Sequence, residues 1–388
     1  MGEDTKGYDA SHITVLYGWE AIRKRPGMYV GSTSERGLHQ AVFEVVGRAV
    51  NEVLAGRASS VDVTLTPDGG VSVADDGPGV PVEAAGDADG PDLEAVLNRM
   101  HTGAEPGGRN AAVVGLVGIG PCVTNALSSR LTAEVRRAGT CWVQHYTCGV
   151  AVAPPTAVGP AAGSGTTITF WPDPDIFETV ECSFAVLTER LRELAFLNKG
   201  LGVSLTDARI PGEPRSVRFR SPRGARDFVA FLDAPAGRAV HPDVIGFEWE
   251  DQRMEGAAEV ALQWCTSSEE RVCSFANSKP TPCGGTHVEG FREGAAAAVN
   301  AYARERRLLT AASPDLSADR IGEGLTAVVS VKLDSPAFEG ATRGSLGNTA
   351  VRNCLAEAVQ EHLGTWLEGY PEQATAIIDQ IVPGTQRS

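Results

Sequence analysis

Three features of the sequence predict an α+β architecture in two units. Segments with the two-residue alternation of strands are clustered with segments of helical periodicity, without the regular strand–helix–strand repeat of a parallel sheet. A polar, proline-containing connection separates a first group of elements, 1–228, from a second, 229–388. At 388 residues the chain is long for one core and comfortable for two.

The elements follow in order. "ITVLYGWEAIRKRPGMYVG" reads as a short helix broken at Pro26-Gly27. "GLHQAVFEVVGRAVNEVLAG" reads as a helix closed by Gly56; its apolar residues Phe43, Val46 and Val50 recur at helical spacing. "SVDVTLTPDGGVSVADDG" is a β-hairpin whose second strand runs into an acidic, Gly-rich loop. "DLEAVLNRMHTG" is helical, and "VGLVGIGPCVTNALSSRL" is a Gly-rich turn feeding a helix. "LTAEVRRAG", "CWVQHYTCGVAV" and "GTTITFWPDP" are strands, with "APPTAVGPAAGSG" as a loop between the last two. "SFAVLTERLRELAFLNKG" is an amphipathic helix. The second unit reads as strands "GAAEVALQWC" and "ERVCSFANS", helix "EGFREGAAAAVNAYARERRLL", strand "LTAVVSVKL" and the long helix "NTAVRNCLAEAVQEHLGTWLEGYP".

Composition narrows the function classes. The chain is 42% hydrophobic and 21% charged, with a net charge of −15. That acidity argues against gripping DNA over the whole surface. The short runs "RKRPG" and "RERR" read as solvated faces as readily as binding sites. No apolar run approaches the ~18 residues of a membrane span, and the N-terminus has no signal-peptide pattern. The eight cysteines form no C-x-x-C pair and no zinc spacing, which points to reduced thiols in a cytoplasmic protein.

Three segments form a constellation. The helix around "FEVVGRAVNE" carries Glu44 and Arg48 one turn apart on one face. "DDGPGVP" places Asp75, Gly77 and Gly79 at a strand end, and "GLVGIG" places Gly115, Gly118 and Gly120 before a helix. Each is weak alone. In this order they suit nucleotide chemistry. Glycines let backbone N–H groups approach phosphates, a carboxylate at a strand end accepts from an adenine amino group, and a glutamate one helix away acts as general base on water.

With these residues in place, the chain resembles the ATPase region of bacterial type IIA topoisomerase B subunits, gyrase and topoisomerase IV, within the gyrase/Hsp90/histidine-kinase/MutL ATP-binding family. "YDASHITVL", "RKRPGMYVGST", "GLHQAVFEVV", "GTTITFWPDPDIFET", "RLRELAFLNKGL", "GGTHVEGFR" and "LGNTAVR" carry the resemblance across nearly the whole chain. It implies a Bergerat-type ATP-binding sandwich followed by a ribosomal-S5-like transducer domain. It implies Glu44 as general base, Asp75 as adenine ligand and Thr166 as the threonine that helps hold adenine through water. Tyr8 falls in the arm that swaps onto a partner protomer, so a homodimer on nucleotide binding is implied. Arg137 falls where an aminocoumarin inhibitor is contacted. A gyrase A-type subunit and DNA are the implied partners, with Arg292, Arg304, Arg306 and Arg307 as candidate DNA contacts. The Asp-rich TOPRIM motifs of the cleavage domain are not found, so DNA cleavage by this polypeptide alone is not expected.

Departures from the family pattern cluster around the triphosphate. Arg48 replaces the asparagine that holds Mg2+; a guanidinium has no acceptor atom and cannot ligate a metal. The expectation is that Arg48 binds a phosphate or pairs with Glu44. Asn51 replaces an aspartate and is the remaining candidate near a metal. Glu105 replaces the lid lysine, Val117 a loop histidine, Pro78 an arginine and Gln40 a histidine. In the transducer, Ala341 and Arg343 replace the glutamine and the catalytic lysine. The sequence therefore predicts an ATP-binding module with altered Mg-ATP hydrolysis. Two alternatives remain open: a non-catalytic gyrase paralogue acting in inhibitor resistance or as a decoy, and a repurposed ATP-dependent enzyme acting on a small molecule.

Overall fold

The computed structural model describes residues 18–83, 92–100, 112, 114, 119–234, 238–309, 313–340 and 344–382. The first unit comprises α1 (Trp19–Lys24), α2 (Gly27–Val30), α3 (Glu35–Leu54), β1 (Ser60–Leu65), β2 (Val71–Asp75), α4 (Leu93–Asn98), α5 (Pro121–Ala126), β3 (Ser128–Arg137), β4 (Thr140–Thr147), β5 (Val150–Ala151), β6 (Thr156–Pro160), β7 (Gly165–Pro172), α6 (Phe184–Leu197), β8 (Gly202–Asp207) and β9 (Arg215–Phe219). Among the described residues its strands form one nine-stranded sheet, ordered β5-β4-β3-β7-β2-β1-β8-β9, with β6 on β4. All pairs are antiparallel except β1 with β8.

Helix α3 is the central element of the helical layer. Leu38, Val42, Val46 and Val50 are fully buried, and the helix packs on β1 and β2. Those strands return the contact with Val61, Val63, Val71 and Val73, alternate residues on one face of the pleat. Gly56, at φ 70°, ends the helix as the sequence predicts.

Three local expectations are corrected. The stretch "APPTAVGPAAGSG" is not only a loop, because Thr156–Pro160 pairs with β4 as an edge strand. Four of its five residues are exposed, so it has no buried alternation to betray it. Helix α5 stops at Ala126, and "SSRL" opens β3, where Leu131 is buried opposite Phe170 and Tyr146. Helix α4 ends at Asn98, since Arg99 is already extended.

The second unit comprises α7 (Ala225–Asp233), β10 (Ile245–Asp251), β11 (Gly256–Trp264), β12 (Arg271–Ala276), β13 (Lys279–Pro280), α8 (Thr286–Glu305), α9 (Ala318–Ile321), β14 (Leu325–Leu333), β15 (Phe338–Glu339), β16 (Ser345–Leu346), α10 (Thr349–Gly369) and α11 (Pro371–Ile381). Its five-stranded sheet runs β10-β11-β14-β12-β13 among the described residues. Helices α8 and α10 lie against each other at glycine contacts. A Cβ on Gly290 would stand 2.3 Å from the Arg352 carbonyl, and one on Gly294 would stand 2.5 Å from that of Ala356.

Residue 228 lies inside α7. This helix joins Leu197 of α6 to Ala261, Phe275 and Val328 of the second sheet in one apolar cluster. A polar contact crosses beside it. Lys332 Nζ donates to Asn198 Oδ1 at 3.2 Å, Asn198 Nδ2 donates to Ser278 Oγ at 3.1 Å, and Arg190 donates to the Ser278 carbonyl at 2.8 Å. Burial pulls the Lys332 ammonium below the usual lysine range, while nearby Glu259 opposes the shift.

Asp233 closes α7 with both carboxyl oxygens buried and, among the described residues, without a well-formed hydrogen bond. Burial holds its carboxyl above the usual range, against the opposing pull of Thr326, Cys265 and Arg271. A raised folded-state pKa means that the charged form costs stability, and that cost grows as pH rises through the carboxylate range. Asp233→Asn is therefore expected to stabilise the chain at pH 8 by about 1 kcal/mol, with the gain shrinking towards zero at pH 4. Urea unfolding at the two pH values checks this; a gain that is larger at pH 4 would contradict it.

Candidate functional site

The site lies where α3 crosses the end of β2. Pairing of β2 with β7 sets Asp75 directly opposite Thr166. Gly165 makes this possible at φ 147°, because a Cβ there would stand 2.3 Å from the Asp75 carbonyl. The loop after β2 turns back on the carboxylate, and Asp75 Oδ1 accepts from the Gly77 N–H at 3.0 Å. Gly79 has φ 79°, and a Cβ there would meet the Arg136 carbonyl at 2.6 Å. Thr166 Oγ1 accepts from the Val80 N–H at 3.0 Å. Arg137 donates to the Gly79 carbonyl at 2.8 Å, fixing the far side of the same loop. Asp76 holds the near side by accepting from the Ser59 and Ser60 N–H groups at 2.7 and 2.9 Å.

Glu44 is buried on α3, and its Oε2 accepts from the Gly120 N–H at 2.7 Å. Gly120, at φ 95°, leads into α5, whose first residue is Pro121. Thr124 Oγ1 donates to the Ala41 carbonyl at 2.6 Å and ties α5 to α3. Burial, together with Glu44, pushes the neighbouring Cys122 thiol up to about 12, so it stays a neutral packing group. His39 Nε2 accepts from the Ser183 N–H at 2.9 Å, and burial lowers its pKa despite Glu35 nearby. Gln40, one turn before Glu44, has its side-chain carbonyl buried without a hydrogen-bond partner among the described residues.

Arg48 departs from expectation. Its guanidinium does not pair with Glu44. Nη1 forms an ion pair with Asp75 Oδ2, and Nη2 donates to Thr166 Oγ1 at 3.3 Å. Glu52 lies 3.9 Å away on the next turn of α3. Both oxygens of Asp75 are thus engaged within the protein. Linear spacing related Arg48 to Glu44, whereas the crossing of α3 over the sheet brings it to Asp75. The remaining metal candidate is committed too, because Asn51 Oδ1 accepts from the Ala112 N–H at 2.8 Å. No group of three or more His, Cys, Asp or Glu side chains is gathered among the described residues. A guanidinium at position 48 and an engaged amide at 51 do not fit the implied Mg2+. Tyr8, Gly115, Gly118 and Arg343 lie outside the described residues, as do Glu105, Val117 and Ala341.

The candidate DNA contacts are largely committed. Arg292 pairs with Glu270 at 2.5 Å and Arg304 with Asp315 at 2.5 Å, while Arg306 lies over the Tyr302 ring.

Two family models match the sequence. The model for histidine kinase-, DNA gyrase B- and HSP90-like ATPases matches residues 33–176, and the model for DNA gyrase B matches residues 224–387. The crystal structure of the 43K ATPase domain of Thermus thermophilus gyrase B, in complex with an aminocoumarin, superposes with a TM-score of 0.80 at 31% identity, covering 95% of this chain and 94% of that one. The chain belongs to the DNA gyrase B family.

The DNA gyrase B protein of Streptomyces coelicolor is 46% identical over 393 residues, 97% of this chain and 57% of that protein. The novobiocin-sensitive and novobiocin-resistant gyrase B proteins of Streptomyces niveus are each 45% identical, over 98% and 97% of this chain. The chain spans 57–59% of the length of these three relatives. Its first unit has the gyrase B ATP-binding fold, and the resemblance read from the motifs holds along the chain. Among the described residues no helix is long and apolar enough to cross a membrane.

The Arg48–Asp75 pair couples α3 to β2, and losing one partner leaves a charge buried. Asp75 is 1% exposed at its side chain and Arg48 is 13% exposed. Arg48→Ala is expected to cost about 3 kcal/mol, and adding Asp75→Ala should restore part of that loss. Denaturant unfolding of the two single variants and the double variant measures the coupling; additive losses would mean that the pair is not formed.

Proposed function

We propose that this chain is a gyrase-B-type ATP-binding module in which Mg-ATP hydrolysis is impaired while the nucleotide scaffold is kept. The observation that carries the reading is the position of Arg48. It stands where a metal-ligating side chain is expected, and it occupies the acceptor atoms of Asp75 and Thr166. Support for retained nucleotide binding comes from the rest of the site. Glu44 faces Gly120, Asp75 faces Thr166, and the Gly77–Gly79 loop has the backbone conformation its glycines permit.

On this reading the chemistry still available belongs to the protein's own residues. Glu44 is positioned to orient a water and take its proton, at the end of the glycine-bearing segment. Charge stabilisation at the transferred phosphoryl group falls chiefly to cationic side chains and backbone N–H groups, since position 48 carries a guanidinium paired with Asp75 and the Asn51 amide is engaged. A working unit would be a homodimer, with Tyr8 in the exchanged arm and Arg343 reaching the site from the second unit. A gyrase A-type subunit and DNA are its proposed partners, and the eight free cysteines suit a cytoplasmic setting.

The same ion pair also favours a second reading, a non-catalytic paralogue that acts in inhibitor resistance or as a decoy. The aminocoumarin bound by the Thermus thermophilus relative supports asking whether Arg137 and the Asp75 pocket take such a compound. Turnover separates the two readings. The first predicts slow hydrolysis of ATP that Glu44→Ala abolishes and that Arg48→Asn raises by about tenfold or more with Mg2+ present. A coupled phosphate-release assay on the three proteins checks it. No turnover by the wild-type chain above Glu44→Ala, and none gained by Arg48→Asn, would leave the non-catalytic reading.

A further inference from the structure

We propose that Arg48 is a specificity-determining residue: closed on Asp75 and Thr166, it makes negative charge on the ligand a condition of entry to the base pocket. Nucleoside polyphosphates are admitted, and neutral ligands that need the Asp75 edge are disfavoured. The inference rests on the nucleotide-site reading above and deepens it.

Asp75 Oδ1 is taken by the Gly77 N–H and Oδ2 by Arg48. Thr166 Oγ1 already receives the Val80 N–H and Arg48. With Arg48 in place the Asp75 side chain is only 1% exposed, so a ligand presenting a donor edge to it has to displace the guanidinium. Displacement strands a permanent cation that has donors only and a side chain just 13% exposed. Glu52 is a poor substitute partner, because its two oxygens already hold Arg57 at 2.8 and 3.3 Å. A neutral ligand breaks the ion pair and returns only a neutral hydrogen bond to Asp75. A ligand that also carries phosphates gives the released guanidinium a charge-assisted partner of its own. Arg48 stands one turn along α3 from Glu44, so a swung-out guanidinium stays on the side where Glu44 meets Gly120. The described phosphate-side residues need no metal for this exchange, since the cation is built into the helix.

The test compares ADP with adenosine, two ligands with one base and different charge. Titration calorimetry of the full chain in EDTA and low salt, with the wild type, Arg48→Asn and Arg48→Gln, gives the affinity ratio in each protein. The glutamine variant keeps side-chain length without charge and guards against a folding defect in the asparagine variant. The expected result is ADP binding by the wild type without metal, weakened as KCl is raised. In the variants adenosine binding should tighten at least tenfold, and the ADP-to-adenosine ratio should fall by at least the same factor. An unchanged ratio in proteins that all bind ADP overturns the inference and leaves the nucleotide-site reading standing. No ADP bound by any of the three overturns both.

Discussion

Arg48 comes from the helical layer and Asp75 from the end of a strand, and their ion pair joins the two layers at the site. Most of the surrounding architecture serves to bring them together. Helix α3 is held in register by the burial of Leu38, Val42, Val46 and Val50 on β1 and β2. The β2–β7 pairing sets Thr166 beside Asp75, and Gly165 allows the two backbones to come that close. The Gly77–Gly79 loop then folds back, so that the carboxylate receives a backbone N–H as well as the guanidinium.

A buried ion pair is an ambiguous device energetically. Taking both charges out of water costs several kcal/mol, and mutual attraction with good geometry repays much of it. What it does reliably is penalise the removal of either partner. The consequence here is chemical as much as structural. Position 48 carries a cation with no acceptor atom, and the Asp75 carboxylate is covered by it. Glu44 meanwhile keeps its backbone partner, so the two halves of the site have diverged. On the proposed reading, the position assigned to proton handling keeps its glutamate, whereas those assigned to the metal and to the base are tied to each other.

The second unit is joined to the first through α6 and α7. The apolar cluster of Leu197, Phe228, Phe275 and Val328 is flanked by a polar chain from Lys332 through Asn198 to Ser278 and Arg190. Ser278 and the preceding Asn277 both have positive φ, at 63° and 46°, in the tight turn between β12 and β13. Asn277 is pinned in that turn by reciprocal hydrogen bonds with the Leu333 backbone. A turn of this kind, gripped from one side by α6 and from the other by β14, gives the junction a defined geometry.

The sequence by itself determined the family, the α+β class and the course of the long elements. Those properties are written locally, in the apolar spacing of α3, the alternation of β1 and β2, and the glycine at the end of α3. It also placed the departures at the nucleotide site, because Arg48, Asn51 and Gln40 stand out against otherwise familiar text. Edge strand β6 was illegible for the opposite reason: its residues are exposed and its pairing is a property of the β4 backbone. Only the tertiary structure decided what Arg48 does. Spacing along one helix relates residues 44 and 48, but a long side chain on a helix crossing a sheet can reach a strand end 27 positions away. Which acceptor it meets depends on the angle and depth of that crossing. Both are set by the packing of many apolar side chains at once, and no single stretch of sequence carries that information.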